Sequence, residues 1–362
     1  MKALLYQGPQ NIQLHEIPVP AIGDGEILVC VEACGLCGSD LVKIDANLRD
    51  RSVHLGHELA GRVHAVGDGV TKFKKGDRLI VSHHVPCLDC HYCERGNESM
   101  CREFKRTNLD PGGFAEYVRI SANHVKHVAF KLPARVPFTH ATMIEPLACV
   151  LRNIRRINSQ EGDTVVVVGM GFIGLLTSLA LKRIGVTVIG LDIDHIRVRL
   201  ANKLGIDHAY TGKDGGGIPR LISQLTFNRG ADALISTAGP SSLIAPRLEW
   251  IRDGGIMNIF AGYTSLPKAN INLDTVYHRE LTLLSSYSPQ VQDLEEAHRI
   301  IVKEEIDVSL FARDTFGLEE FDEALRQVRG REIVKAILLP GKGAAQSKRS
   351  LGKKRRKSTV KR

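Results

Sequence analysis

The sequence predicts an α/β protein in two parts, a β-rich domain cut by Gly, Pro and Asp and a second domain built on a parallel sheet. Three observations carry this. From residue 1 to about 150, short alternating apolar runs recur at 2–6, 12–16, 26–33, 61–66, 78–82 and 116–120, the period-two pattern of strands. At Gly162 the pattern changes, and GDTVVVVGMGFIGLLTSLALKRIGVTVIGLDID reads as buried strand, glycine turn, helix and buried strand. Strand and helix then alternate as far as residue 285, which argues for parallel strands covered by helices on both faces.

Taken in order, the second part is expected to hold a strand at 164–168, a helix opening at the glycine turn and a strand ending at Asp192. A helix near 194–204, a strand at 231–236, a helix near 242–251 and strands at 255–260 and 281–285 follow. Gly215, Gly216 and Gly217 suit a surface loop better than a helix start. After Pro289 come helices near 293–304 and 318–328 and a last strand at 333–339.

Composition sets the class. With 362 residues, 43% hydrophobic and 25% charged, the chain is long enough for two ordinary globular cores. No apolar run approaches the roughly 20 residues that span a bilayer. The start MKALLYQGPQNIQLHE carries one Lys and no apolar h-region, so it reads as a first strand rather than a signal peptide. The expected compartment is the reducing cytoplasm, where clustered cysteines are metal ligands more often than disulfides. The net charge of +9 belongs to the end of the chain. Ten of the 49 Lys and Arg fall in residues 342–362, and the remaining 49 less 10 nearly balance the 40 acids. That segment has too few apolar residues to fold alone and is expected to be a solvated, disordered tail, with a polyanion-binding arm as the alternative.

Gly169-Met170-Gly171-Phe172-Ile173-Gly174 is a GxGxxG between an apolar strand and a helix, the context a dinucleotide-binding turn requires. Gly169 permits the tight turn, Gly171 lets backbone approach a pyrophosphate, and Gly174 allows close helix–strand packing. Asp192 ends the second strand, where its carboxylate suits ribose hydroxyls and favours NAD over NADP. Arg197, one helical turn on, is a guanidinium that could instead meet a 2′-phosphate, so NADP stays open.

Cys87, Cys90, Cys93 and Cys101 lie in PCLDCHYCERGNESMC with spacing Cys-x2-Cys-x2-Cys-x7-Cys. Four thiolates suit a closed tetrahedral zinc that holds a loop in shape. An iron–sulfur cluster is the rival, though the spacing matches the usual ferredoxin runs poorly. A closed shell admits no substrate, so metal chemistry needs other ligands. Cys37 in GLCGSD and His57 and Glu58 in GHE offer a thiolate, an imidazole and a carboxylate, and Glu145 in IEPLACV can add another. Three such ligands with one open position describe a catalytic zinc site, and Asp40 can orient His57 through its second ring nitrogen.

These motifs, with GGFAEY at 112–117 and EPLACV at 145–150, run in order along the chain. Together they resemble the zinc-dependent medium-chain alcohol dehydrogenase family, above all its sorbitol (L-iditol) and threonine dehydrogenase branch. The likeness covers residues from about 2 to 340. It implies a GroES-like catalytic domain from residues 1–150, with its structural zinc loop at 86–101, completed by a return segment at 289–341. A Rossmann NAD-binding domain fills 151–288. It implies catalytic zinc on Cys37, His57 and Glu58, with water or Glu145 completing the shell, and structural zinc on the four clustered cysteines. Gly171, Ile173, Asp192 and Arg197 should line the cofactor cleft, with Ser286 and Tyr287 towards the nicotinamide. A homo-oligomer, a tetramer by analogy, is also implied.

The expected chemistry is oxidation of a secondary alcohol on a polyol, cyclitol or amino alcohol to a ketone, with hydride passed to NAD. Ser39, two residues after Cys37, is placed to take the alcohol proton. Two departures from the branch matter. Relatives often carry His where this chain has Val42, which breaks the usual proton relay. Only 19 residues separate Cys37 from His57, a segment shorter than usual. Both weaken threonine as substrate, and His54 is either a substitute proton carrier or a surface residue. A metal-free quinone or enone reductase on the same scaffold is the rival enzyme. A nucleic-acid-binding protein using the cysteine loop and tail is the rival of another class, but the loop lacks the histidine pair of a DNA-reading finger.

Overall fold

A computed structural model describes residues 1–47, 53–206, 208–212, 217–262 and 269–341. The basic tail at 342–362 and part of the short segment between Cys37 and His57 lie outside the described residues. No helix among them is long and apolar enough to cross a membrane. The chain divides into two compact units, Met1–Pro146 joined by the chain from Gln290 onward, and Leu147–Pro289. The first division therefore falls four residues before 150, inside the helix Ile144–Ile157.

The first unit is a GroES-like β domain whose seven-stranded sheet centres on Ile27–Gly35. This strand pairs antiparallel with Glu58–Val66, Tyr117–Ile120 and the C-terminal strand Ala336–Leu338. Burial explains its composition: seven of its nine residues, ILVCVEACG, are buried. The register sets up everything that follows. Gly35 faces Glu58 on one side and Ile337 on the other, and Val81 faces Leu59. Cys37, His57, His83 and Lys335, each two residues or fewer beyond those pairs, therefore gather at one end of the sheet.

The second unit is a six-stranded, wholly parallel Rossmann-type sheet. In chain order its strands are Thr164–Val168, Thr187–Asp192, His208–Thr211, Ala231–Ser236, Ile251–Ile259 and Thr282–Ser285, and in space they run 3-2-1-4-5-6. Thr164–Val168 and Ala231–Ser236 are buried at every residue, as central strands covered on both faces must be.

Three elements differ from expectation. The helix expected at 242–251 is a 3-10 turn at Ser241–Leu243, one helical turn at Ile244–Arg247 and another 3-10 turn at Leu248–Trp250. Pro246, which lacks an N–H, sits where a continuous helix would need one. The last strand is only Ala336–Leu338. Gly217, the one described residue of the glycine triplet, is exposed but caps the helix Ile218–Leu225, with Pro219 in its first turn.

Candidate active site

The sheet end described above brings ligand atoms of Cys37, His57 and Glu58 within 4.8 Å of one another. Gly35 makes room for them, since a Cβ there would stand 2.0 Å from Glu58 Oε2. Asp40 is fully buried and organises the group: its carboxylate accepts from Cys37 N at 3.0 Å and Gly56 N at 3.1 Å. Its Oδ1 also lies 3.4 Å from His57 Nδ1, which leaves Nε2 as the nitrogen facing Ser39 Oγ at 3.4 Å. Burial raises the Asp40 pKa, but the His57 charge and the hydrogen bonds outweigh it and hold the carboxyl below its usual range. Burial likewise disfavours the His57 imidazolium, yet Asp40 and Cys37 prevail and hold it well above the ordinary value. Negative charge that retains a proton on a buried imidazole also favours a dication in its place.

Glu58 and Lys335 form an ion pair with side chains 0% and 2% exposed. Glu58 Oε1 is buried without a hydrogen-bond partner. An orphaned carboxylate oxygen beside a thiol and an imidazole completes the donor set of a catalytic zinc, so the residues fit that ion. Glu145 is buried in the first turn of Ile144–Ile157, has a partner of its own, and is not one of the clustered ligands.

The other four cysteines also converge. The Cys87–Cys101, Cys90–Cys93 and Cys87–Cys93 sulfurs are 3.5, 3.6 and 3.9 Å apart. A tetrahedral zinc with Zn–S near 2.3 Å needs sulfurs about 3.8 Å apart, and a disulfide needs about 2.05 Å. The loop fits a closed metal shell and no disulfide joins it. Burial raises the Cys101 pKa, but backbone N–H donors led by that of Cys87 bring it down to about 7, while the side-chain hydrogen bond with Asp89 pushes the Cys87 thiol up to about 11.

In the second unit, Gly169 adopts φ +93° and a Cβ there would meet Thr237 and Ala238 at 2.7 and 2.8 Å. At Gly174 a Cβ would lie 1.7 Å from Gly169 O, whereas at Gly171 it would meet nothing within 4 Å. That open place, at the start of the helix Phe172–Arg183, is the cradle a pyrophosphate requires. Half-buried Ile173 lies in the first turn. Asp192 accepts from Met170 N at 2.6 Å and Asp194 N at 2.9 Å, which pins its carboxylate beside the turn. Arg197 is 8% exposed and has partners already. Ser286 Oγ is buried without a partner, and Tyr287 is 62% exposed.

Two residues escape the motifs. His83 is buried with its ring centroid 4.6 Å from that of His57, and its Nδ1 has no partner. Burial first and the His57 charge second hold it well below the ordinary histidine pKa, so it is neutral. The paired histidines just before Cys87 were the available signal. Lys335 is the second, a lone cation in the apolar run IVKAILL. His54 is half-buried with Nδ1 2.9 Å from Pro111 O, and Val42 is 55% exposed.

Residues 23–133 match the family described as Alcohol dehydrogenase GroES-like domain, and residues 173–303 match Zinc-binding dehydrogenase. The sorbitol dehydrogenase of Halalkalibacterium halodurans is 31% identical over 94% of this chain and 99% of its own. The chain belongs to the zinc-dependent medium-chain alcohol dehydrogenase family. The L-threonine 3-dehydrogenase of Bacillus subtilis is similar as well, at 29% identity over 94% of this chain and 99% of that one. A Sinorhizobium meliloti structure described as a zinc-binding dehydrogenase and bound to NADP has TM-score 0.85 and 26% identity, covering 94% of this chain and 99% of the other. This family member is thus a zinc-containing, NAD(P)-linked alcohol dehydrogenase. The metal-free reductase and the nucleic-acid-binding protein are not favoured by these relatives.

Proposed function

We propose that this dehydrogenase oxidises a secondary alcohol of a polyol, cyclitol or amino alcohol to the ketone, with NAD as acceptor. The observation that carries the reading is the convergence of Cys37, His57 and Glu58 with Ser39 Oγ beside the outward nitrogen of His57. Cys37, His57 and Glu58 would hold the catalytic zinc, and Cys87, Cys90, Cys93 and Cys101 the structural one. When bound, catalytic zinc supplies a Lewis acid that lowers the pKa of a hydroxyl. Asp40 fixes the tautomer and direction of His57. Ser39 accepts the alcohol proton and passes it on to solvent. No histidine follows in that relay, because Val42 occupies the place and is exposed.

Gly169, Gly171, Ile173 and Gly174 are proposed to cradle the pyrophosphate, and Asp192 the adenosine ribose. Its pinned carboxylate would repel a 2′-phosphate, which supports NAD. Ser286 and Tyr287 are proposed at the nicotinamide end. Curated relatives include enzymes for sorbitol, D-altritol and erythritol or L-threitol, which supports the polyol class. Homo-oligomerisation, as a tetramer by analogy, belongs to the same reading.

The test is cofactor reduction by purified, zinc-replete protein with NAD⁺ and NADP⁺ against polyols, cyclitols, threonine and simple alcohols. The expected result is turnover of a polyol or cyclitol with NAD⁺. Turnover of primary alcohols alone, or with NADP⁺ alone, would refute the substrate or the cofactor assignment respectively.

A further inference from the structure

The chain leaving the last Rossmann strand has little backbone support from the sheet. That strand, Thr282–Ser285, stands at the sheet's edge and among the described residues pairs only with Ile251–Ile259. Because all six strands run parallel, Ser286 leaves the sheet at the same end as the glycine turn that follows Thr164–Val168. The crevice outside the carboxyl ends of the strands is where open parallel sheets take their ligands. A segment at that place must be held by something other than the ladder.

Arg152 supplies the hold. It is buried on the helix Ile144–Ile157 and belongs, with Ser286, Tyr287 and Ser288, to the unit Leu147–Pro289. Its Nη1 donates to Tyr287 O at 2.6 Å and to Ser288 O at 2.9 Å. Successive carbonyls of an extended chain point opposite ways, so these two converge on one nitrogen only because the backbone bends between them. Ser288 makes the bend with φ +63°, a left-handed conformation that strains a serine. Such strain persists where the surroundings over-determine it, and a rigid guanidinium gripping both carbonyls does that. A glycine would hold the bend unaided. With serine, the bend depends on Arg152.

We propose that Arg152 is a positioning residue for cofactor binding, clamping the backbone of Tyr287 and Ser288 in the conformation that receives the nicotinamide. This rests on the reading that Ser286 and Tyr287 lie at the nicotinamide end. The clamp is carried by a helix and is set before the cofactor arrives, so binding has no loop to order there. The glycine turn has bonds of its own, Gly169 N to Leu191 O at 2.7 Å and Met170 N to Asp192 Oδ2 at 2.6 Å. Loss of the clamp should therefore be felt by the nicotinamide half of the dinucleotide alone.

The experiment takes the full zinc-replete chain as wild type, Arg152→Met and Arg152→Lys. Each is titrated with NADH and with ADP-ribose, which lacks the nicotinamide, and amide hydrogen exchange is followed with and without them. Arg152→Met is expected to bind NADH about tenfold more weakly and ADP-ribose as tightly as wild type. Arg152→Lys, a point cation without the planar fork, is expected to lose about threefold. Exchange at 286–288 in the cofactor-free protein should quicken in Arg152→Met, and exchange at 169–174 should not. Unchanged NADH affinity overturns the proposal. So do NADH and ADP-ribose affinities that fall together, since that marks a merely structural role. Wild type tests the underlying reading separately: NADH, unlike ADP-ribose, should slow exchange at 286–288. If it does while Arg152→Met binds NADH normally, the nicotinamide assignment stands and the clamp falls. If it does not, both fall. Should Arg152→Met fail to fold, Arg152→Lys decides, and unchanged NADH affinity there overturns the proposal equally.

Discussion

Cys37→Ser is expected to abolish turnover, lowering kcat by about three orders of magnitude or more, while NADH still binds. The size follows from what a Lewis acid contributes, several kcal/mol of transition-state stabilisation, at tenfold per 1.36 kcal/mol. Serine is close in shape but is a far poorer ligand than a thiolate for zinc, so the site should lose its ion. Cofactor binding should survive because the glycine turn and Asp192 belong to the other compact unit. The measurement is zinc per chain with kcat and NADH affinity on one preparation. One zinc lost, activity gone and affinity kept is the expected triple. A fully active variant would show that Cys37 is not a ligand.

The four-cysteine group and the glycine turn were legible in the sequence, because their residues sit in short spacings. Three cysteines with two residues between neighbours, or a Gly-rich turn between strand and helix, need no tertiary information. What brings Cys37 to His57 is different, because it depends on Gly35 pairing with Glu58 in a specific register. The family resemblance supplied that link, and the register explains it. Lys335 was invisible for the same reason. Its partner, Glu58, lies at the other end of the chain, joined only through Ile337 facing Gly35. The helix Ile144–Ile157 was not read from the sequence, although Ile144, Leu147, Leu151 and Ile154 recur at helical spacing, and its polar residues Glu145, Arg152 and Asn153 are themselves buried. Glu145 was visible only as a further carboxylate, because no local spacing sets whether it exchanges onto the ion.

Lys335→Met is expected to destabilise the metal-stripped protein by about 3–5 kcal/mol, the cost of leaving one member of a buried ion pair uncompensated. Glu58 is fully buried and Lys335 lies within ion-pair distance of it, so removal strands a carboxylate with no water to receive it. Zinc changes the balance. If Glu58 is a zinc ligand, the ion compensates that charge, and the gap between wild type and variant should narrow when zinc is restored. The two roles of Glu58 are thus read from one difference of differences, which cancels whatever the structural zinc adds to both proteins. Denaturant unfolding of both proteins, stripped and zinc-loaded, makes the measurement. Lys335→Arg, which keeps the cation, should recover most of the loss. An equal gap with and without zinc would mean that Glu58 belongs to Lys335 rather than to the metal, and the catalytic ligand set would shrink to Cys37 and His57.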